Sequence, residues 1–206
     1  MKQAPLDPAG YPIGRAFAWN LPNLLTILRI LAVPLLAASL LMGHGPLARV
    51  MATAIFIGAS ITDLLDGAIA RRRGQVTTFG KIADPIADKA LTGTALVSLS
   101  VLGDLPWWVT IVILGREIAV TALRFWVIEH GVIPASRGGK AKTVTQIVAI
   151  SMVLIDLPVP GWSMLCWTAI WIAVVLTVVT GVDYWLRARR LRQLPKGSST
   201  LDGAVR

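Results

Sequence analysis

Four aspartates, Asp63, Asp66, Asp84 and Asp88, form two pairs within one short stretch of the chain. The first pair is three residues apart and the second is four apart, so on helices each pair lies on one face. Two helix ends that face each other would then present two carboxylates each. Because carboxylates held close together repel one another, the pattern predicts a divalent cation among them.

Small residues accompany each carboxylate pair. Gly67 and Ala70 follow the first pair, and Gly80 precedes Asp84 by four residues. A glycine removes the side chain that would keep a bulky group away from a metal, and Arg71 offers a positive charge to an anionic ligand. Carboxylates, divalent cations and a basic rim suit phosphoryl transfer, in which a further carboxylate takes the proton of an attacking hydroxyl. The simpler alternative is that the aspartates only pair with the neighbouring arginines at the cytoplasmic surface.

The segments that must position these residues are apolar and long. Of the 206 residues, 55% are apolar and 15% are charged, with a mean hydropathy of +0.68, whereas soluble domains carry about 25% charged residues. The fold class predicted is an all-α membrane protein with six transmembrane helices, both termini cytoplasmic and a short N-terminal interfacial segment. The predicted spans are residues 23–42, 47–70, 82–102, 107–128, 143–157 and 162–186. The domain division is 1–22 as a juxtamembrane segment, 23–186 as the transmembrane catalytic domain and 187–206 as a basic cytoplasmic tail.

The distribution of positive charge predicts the orientation of the spans. Lysines and arginines gather near the termini and in the polar segments around residues 71–81 and 129–142, whereas the opposite loops hold Arg49, Asp104 and Asp156. The positive-inside rule then places the termini and the aspartates in the cytoplasm. The same distribution accounts for the net charge of +9 without a nucleic-acid partner. One cysteine and two histidines argue against a zinc site built from those residues.

The whole stretch, Asp63-x2-Asp66-Gly67-x2-Ala70-Arg71-x8-Gly80-x3-Asp84-x3-Asp88, resembles the signature of the CDP-alcohol phosphotransferase family at every fixed position. The resemblance implies a six-helix membrane enzyme, commonly a homodimer, that transfers a substituted phosphoryl group from a CDP-linked donor to a hydroxyl and releases CMP. It implies that two Mg²⁺ or Mn²⁺ ions are bound by Asp63, Asp66, Asp84 and Asp88. Asp88 is also the implied general base. The implied lining of the CDP pocket is Gly67, Ala70, Arg71 and Gly80.

Charged residues later in the chain bear on the acceptor. Arg116, Glu117 and Arg124 fall in the fourth predicted span, where charges facing lipid are costly. One interpretation is an ion pair between Glu117 and Arg124 that only braces the bundle. The other is a pocket for an acceptor phosphate, built from Arg116, Arg124, Arg137, Lys140 and Lys142. The two lysines are equally well explained as ordinary positive-inside residues.

Three stretches, Asn20 to Arg29, Arg116 to Arg124 and Ser136 to Gln146, resemble one branch of that family. The branch implies CDP-diacylglycerol as donor, glycerol 3-phosphate as acceptor, membrane lipids as surroundings and a multi-pass location in a bacterial inner membrane, with the active site facing the cytoplasm. Enzyme alternatives keep the donor and use inositol phosphate or phosphatidylglycerol. A remote alternative is a cation transporter. Arg29 either snorkels to the headgroups or faces inward, toward the carboxylates or a phosphate.

Overall fold

The computed structural model describes residues 21–43, 45–73, 78–127 and 137–193. Within those ranges every regular element is an α-helix and no strand occurs. The helices are α1 (Leu21–Leu41), α2 (Pro46–Arg73), α3 (Thr78–Val101), α4 (Trp107–Val127), α5 (Arg137–Ile155) and α6 (Trp162–Gln193). The predicted all-helical class, with six helices, is confirmed for this part of the chain.

Three helix ends differ from the predicted ends of the spans by four residues or more. α3 begins at Thr78 and α5 at Arg137, four and six residues before the predicted spans, and α6 continues to Gln193. Lys140 and Lys142, which were expected in a loop, therefore lie in the first turns of α5. The physical reason is that hydropathy marks where apolar surface stops, whereas Lys, Arg, Ala and Gln are good helix formers that continue a helix into polar surroundings.

A glycine turn reverses the chain between α3 and α4. Gly103 has a φ of +83°, in the left-handed region that glycine adopts without a steric penalty. The amide of the next residue, Asp104, donates to the carbonyl of Leu99 at 3.0 Å, which satisfies one of the carbonyls left open at the end of a helix. The turn lets α4 fold back against α3.

The helices pack as two groups of three. α1 packs against α2 and α3, while α6 packs against α4 and α5, and contacts of α2 with α5 and of α3 with α4 and α5 join the groups. One continuous core runs through both, with Leu36, Phe56, Leu99 and Leu154 fully buried. Buried alanines on several helices permit close approach of the backbones. The first group carries all four aspartates.

The outside of the bundle is apolar. Large side chains such as Leu28, Ile118 and Trp171 are exposed, and every helix contributes at least one of this kind. The segments Asn23–Leu41 and Trp162–Leu191 are long and apolar enough to cross a membrane, judged by length and composition. Exposed apolar side chains on every helix suit contact with lipid. The six spans and their orientation stay predictions.

Charged residues at the end of the bundle opposite the aspartates form a cluster. Arg49, near the start of α2, places Nη2 2.7 Å from Oδ2 of Asp104 in the α3–α4 turn. Its Nη1 lies 4.0 Å from Oδ2 of Asp156 in the α5–α6 turn. Arg49 precedes Asp63 by fourteen residues on the same helix, which separates them by about 21 Å. The cluster therefore joins the start of α2 to the α3–α4 and α5–α6 turns at the far end.

Candidate active site

Three of the four predicted aspartates have described side chains, and they come from adjacent helices. Asp63 lies on α2, and Asp84 and Asp88 lie on α3. Asp88 is within electrostatic range of Asp63 and of Glu117 on α4, and Asp63 is within range of Asp84. The structure thus gathers these carboxylates at one end of the bundle. The other predicted residues of this stretch lie on the same helices, with side chains outside the described part: Asp66, Gly67, Ala70 and Arg71 on α2, and Gly80 on α3.

A polar face of α1 meets the aspartates. Asn23, Thr26 and Arg29 are spaced three residues apart, and each is at most 2% exposed. Nη1 of Arg29 lies 2.7 Å from Oδ1 of Asp63, and the hydroxyl of Thr26 donates to Oδ1 of Asp84. Of the two alternatives for Arg29, the inward one is therefore confirmed. Asn23 and Thr26 were missed, although a polar residue at every third position of an apolar helix was a signal for them.

The donor type of this cluster fits a hard divalent cation, because Mg²⁺ and Mn²⁺ prefer carboxylate oxygens. Within the described ranges, however, no group of three or more acidic, histidine or cysteine side chains is close enough to hold a metal ion. Asp63 and Asp84 are instead in contact with Arg29 and Thr26, respectively. Asp66, whose side chain is not described, is the remaining carboxylate of the predicted set. Metal binding stays a prediction.

A cavity of about 330 Å³ opens beside Asp88, between α3, α4 and α5. Its polar lining is contributed by Asp88, Lys89, Thr92, Glu117, Lys142, Thr143 and Gln146. Its apolar lining includes Leu114, Ile118 and Ile147. The cavity joins the predicted general base to one of the predicted acceptor-binding cations, Lys142, and it is large enough for a small phosphorylated polyol.

Glu117 is the centre of an ion-pair cluster at this cavity. Its Oε1 accepts from Nζ of Lys142 on α5 and from Nη1 of Arg116 at 3.2 Å. Lys142 is buried, with a side chain only 6% exposed, so a nearby carboxylate is needed to offset the loss of hydration. The proposed alternative, a pair between Glu117 and Arg124, is not among the ion pairs of the described residues.

The other predicted acceptor-binding cations are not among the described side chains that line this cavity. Arg116 turns toward α6, where Nε donates to the carbonyl of Thr177 at 3.2 Å and Nη2 to the hydroxyl of Thr180 at 3.0 Å. Arg124 on α4 and Lys140 on α5 are exposed, and among the described side chains neither lines the cavity. The side chain of Arg137 lies outside the described residues. The common anion pocket of five cations stays a prediction.

Lys89 is a cation of this site that the sequence interpretation did not single out. It directly follows Asp88, lines the cavity and donates to the hydroxyl of Thr121 on α4. That hydroxyl donates in turn to the carbonyl of Glu117 at 2.8 Å. The signal was a lysine inside a predicted membrane span, where an ionisable residue is by default a functional candidate.

Comparison with known proteins gives an independent line of support. A family model described as CDP-alcohol phosphatidyltransferase matches residues 19–179. A Mycobacterium tuberculosis protein named "Probable phosphatidylglycerophosphate synthase" is 52% identical over 185 residues, which cover 88% of this chain and 87% of the relative. A Bacillus subtilis protein named "CDP-diacylglycerol--glycerol-3-phosphate 3-phosphatidyltransferase" is 39% identical over 181 residues, covering 81% of this chain and 94% of the relative.

A third relative carries another name. It is the rice (Oryza sativa) protein "Cardiolipin synthase (CMP-forming)", which is 37% identical over 192 residues. The match covers 85% of this chain and 57% of the rice protein. The first two names describe phosphatidylglycerophosphate synthesis with glycerol 3-phosphate as acceptor, whereas the rice name describes cardiolipin synthesis. The residues of the site bear on the choice between these acceptors.

Proposed function

Since the chain belongs to the CDP-alcohol phosphatidyltransferase family, we propose that it transfers the phosphatidyl group of CDP-diacylglycerol to glycerol 3-phosphate. The products are phosphatidylglycerophosphate and CMP. The observation that carries the choice of acceptor is the cavity in which Asp88 and the buried cation Lys142 share one space. A carboxylate to take a proton and an ammonium to hold a phosphate are what an acceptor with one hydroxyl end and one phosphate end needs.

The chemistry proposed for Asp88 is that of a general base. The primary hydroxyl of the acceptor gives its proton to the Asp88 carboxylate while its oxygen bonds to the β-phosphorus of the donor. The bond between that phosphorus and the bridging oxygen breaks, and the electron pair leaves with CMP. Because the hydroxyl attacks directly, no covalent enzyme intermediate is formed.

Asp63, Asp66 and Asp84 are proposed as the main metal ligands, with Asp88 as an additional contact. Two Mg²⁺ or Mn²⁺ ions bound there would supply positive charge to the donor pyrophosphate. Arg29 adds a fixed cation next to Asp63, and Thr26 fixes the orientation of the Asp84 carboxylate. The nucleotide half of the donor is proposed to lie along Gly67, Ala70, Arg71 and Gly80, where small residues leave room for it.

Lys142 is proposed to bind the acceptor phosphate, since among the described members of the predicted basic pocket it is the one that lines the cavity. Lys89 lines the same space one residue after the base and gives the phosphate a second cation. Arg124, Arg137 and Lys140 are proposed as an outer basic rim that attracts the dianionic acceptor from solution.

The proposed setting is a bacterial inner membrane crossed by all six helices, with both termini and the aspartates on the cytoplasmic side and a homodimer as the assembly. The exposed apolar side chains on each helix, two helices suited to crossing a membrane and the one-sided positive charge support this topology. It gives the lipid donor lateral access and the soluble acceptor access from the cytoplasm.

The second candidate keeps the donor and takes phosphatidylglycerol as acceptor, because the rice relative carries a cardiolipin synthase name. The apolar side of the cavity, with Leu114, Ile118 and Ile147, would then face part of a lipid acceptor. A cation transporter is not proposed, since the family is one of transferases.

The test is an acceptor panel. Purified protein in detergent is incubated with CDP-diacylglycerol, MgCl₂ or MnCl₂ and one acceptor at a time: glycerol 3-phosphate, glycerol, inositol phosphate or phosphatidylglycerol. We expect CMP release with glycerol 3-phosphate, accompanied by a new lipid phosphomonoester, and background release with the others. CMP formed with phosphatidylglycerol or inositol phosphate, but not with glycerol 3-phosphate, would contradict the proposed acceptor. Reactions with EDTA test the metal requirement.

A further inference from the structure

Arg116 is anchored on α6 rather than in the cavity. All of its hydrogen bonds in the described part of the chain run to three groups: the Thr177 carbonyl, the Thr180 hydroxyl and the Glu117 carboxylate. Two of these partners belong to α6, which contributes no side chain to the lining of the cavity among the described residues. The guanidinium thus connects α6 to Glu117, the carboxylate that pairs with Lys142 among the described side chains.

Gly181 leaves the space in which the Arg116 side chain lies. A Cβ atom at position 181 would be 3.0 Å from Cγ and 3.3 Å from Nε of Arg116, closer than ordinary van der Waals contact. A side chain there would push the stem of the arginine aside by a few tenths of an ångström and so disturb the 3.2 Å bond from Nε to the Thr177 carbonyl. By contrast, a Cβ at Gly58, also in a helix, would meet nothing within 4 Å.

Glu117 transmits this anchoring to the cavity. The same oxygen, Oε1, accepts from Arg116 and from Lys142, so the position of the carboxylate determines where the lysine ammonium is held. A second link ties the helices together, because Nε2 of Gln146 on α5 donates to the hydroxyl of Thr177 at 2.8 Å. Gln146 itself lines the cavity. The network therefore spans α4, α5 and α6 and ends at the space shared with Asp88.

We propose that Arg116 is a positioning residue for acceptor binding, which is anchored by Thr177 and Thr180, admitted by Gly181, and acts on the acceptor phosphate through Glu117 and Lys142. The inference rests on the proposed function, because it needs Lys142 to bind the acceptor phosphate. In this proposal Arg116 does not bind the phosphate directly. It orients the residue that does, as the hydrogen-bond partners of a metal ligand orient that ligand.

The first test compares kinetic constants of three variants, Arg116→Met, Thr180→Val and Gly181→Ala. Loss of a group that orients a metal ligand costs about 10- to 100-fold. By analogy, Arg116→Met should raise the KM for glycerol 3-phosphate by about tenfold, the lower end of that range, with kcat and the KM for CDP-diacylglycerol within about twofold. Thr180→Val and Gly181→Ala should raise the acceptor KM less, in the same direction. Arg116→Lys should restore part of the loss, because an ammonium can still reach Glu117.

Matched controls separate this effect from general damage to the bundle. Thr168→Val removes a hydroxyl that, like that of Thr180, donates to the carbonyl four residues earlier, but that bonds to no arginine of the described part of the chain. Gly58→Ala adds a methyl group where there is open space. Both controls should leave the acceptor KM unchanged. If Thr180→Val behaves like Thr168→Val, anchoring by α6 is not needed and the inference is overturned.

The second test is a double-mutant cycle with Lys142→Met. If Arg116 acts through Lys142, the variant Arg116→Met/Lys142→Met should have the same acceptor KM as Lys142→Met alone. Independent, multiplying effects would mean that Arg116 contacts the phosphate itself and would overturn the positioning role. Failure of the proposed function looks different, since the unmutated protein would then form no lipid phosphomonoester from glycerol 3-phosphate.

Discussion

Arg29 is nearly fully buried in an apolar helix, and its ion pair with Asp63 explains why that position is tolerated. Removing a guanidinium from water is expensive unless a carboxylate and further hydrogen bonds compensate. The same pair lowers the repulsion among the aspartates, because it places a permanent cation beside them. The cluster is therefore partly neutralised by the chain itself, and a bound metal ion would share Asp63 with Arg29.

Replacement of Arg29 tests whether a bound metal ion and Arg29 both contact Asp63. Arg29→Met should destabilise the metal-free protein by about 3 kcal/mol, since it leaves Asp63 without its buried partner. Mg²⁺ or Mn²⁺ should then raise the melting temperature of the variant more than that of the unmutated protein. The control is Arg187→Met, which removes an exposed i,i+4 pair with Asp183 worth about 0.5 kcal/mol. An equal response to metal in all three proteins would show that Arg29 does not share the site.

The proposed base has its own test. Asp88→Asn keeps the shape of the side chain but removes the proton acceptor, so turnover should fall by at least about a hundredfold. Binding of CDP-diacylglycerol, followed as protection against thermal unfolding, should change little. The exposed Asp183 provides the control, because Asp183→Asn should leave turnover unchanged. Substantial turnover in the Asp88 variant would assign the base to another residue.

At the scale of helices, the ion pairs of Arg49 with Asp104 and Asp156 stabilise the end of the bundle opposite the aspartates. None of these three residues lines the cavity beside Asp88. Arg49→Met should lower the melting temperature, by an amount corresponding to about 1 kcal/mol, and should leave both KM values unchanged. Asp156→Asn should have a smaller effect than Asp104→Asn, because the Arg49 contact is 4.0 Å in the first case and 2.7 Å in the second. The measurement is thermal unfolding in detergent combined with the standard assay. A change in acceptor KM would indicate coupling between the two ends.

The sequence predicted the number of helices, because long apolar runs are a local property, and it predicted that α2 and α3 bring Asp63, Asp84 and Asp88 to one end of the bundle. It did not predict the true start of α5, since Lys140 and Lys142 continue the helix although hydropathy treats them as loop residues. Nor did it reveal Lys89 as part of the cavity or Thr177 as an anchor. Which way a polar side chain on a helix faces depends on the neighbouring helix, and that is a property of packing.

At the scale of the whole molecule, the single cysteine allows the proposed topology to be tested directly. Cys166 is buried, and in a Cys166→Ala background a new cysteine is the only thiol. Val159→Cys, in the exposed α5–α6 turn, should react with a membrane-impermeant maleimide on intact spheroplasts. Lys140→Cys, exposed at the other end of α5, should react only after permeabilisation. The reverse pattern would invert the topology, and labelling of both from outside would contradict the membrane crossing of α5.

Under the proposed topology, the length of α3 also sets the depth of the reaction. Asp88 precedes Val101, the outer end of α3, by thirteen residues, or about 20 Å along the helix axis. In a hydrocarbon layer of about 30 Å, Asp88 then lies roughly 10 Å below the inner boundary. The acyl chains of the donor can stay in their leaflet while the soluble acceptor descends to meet the phosphorus. The two products consequently part by solubility, since one is retained by the bilayer and the nucleotide can leave only toward the cytoplasm.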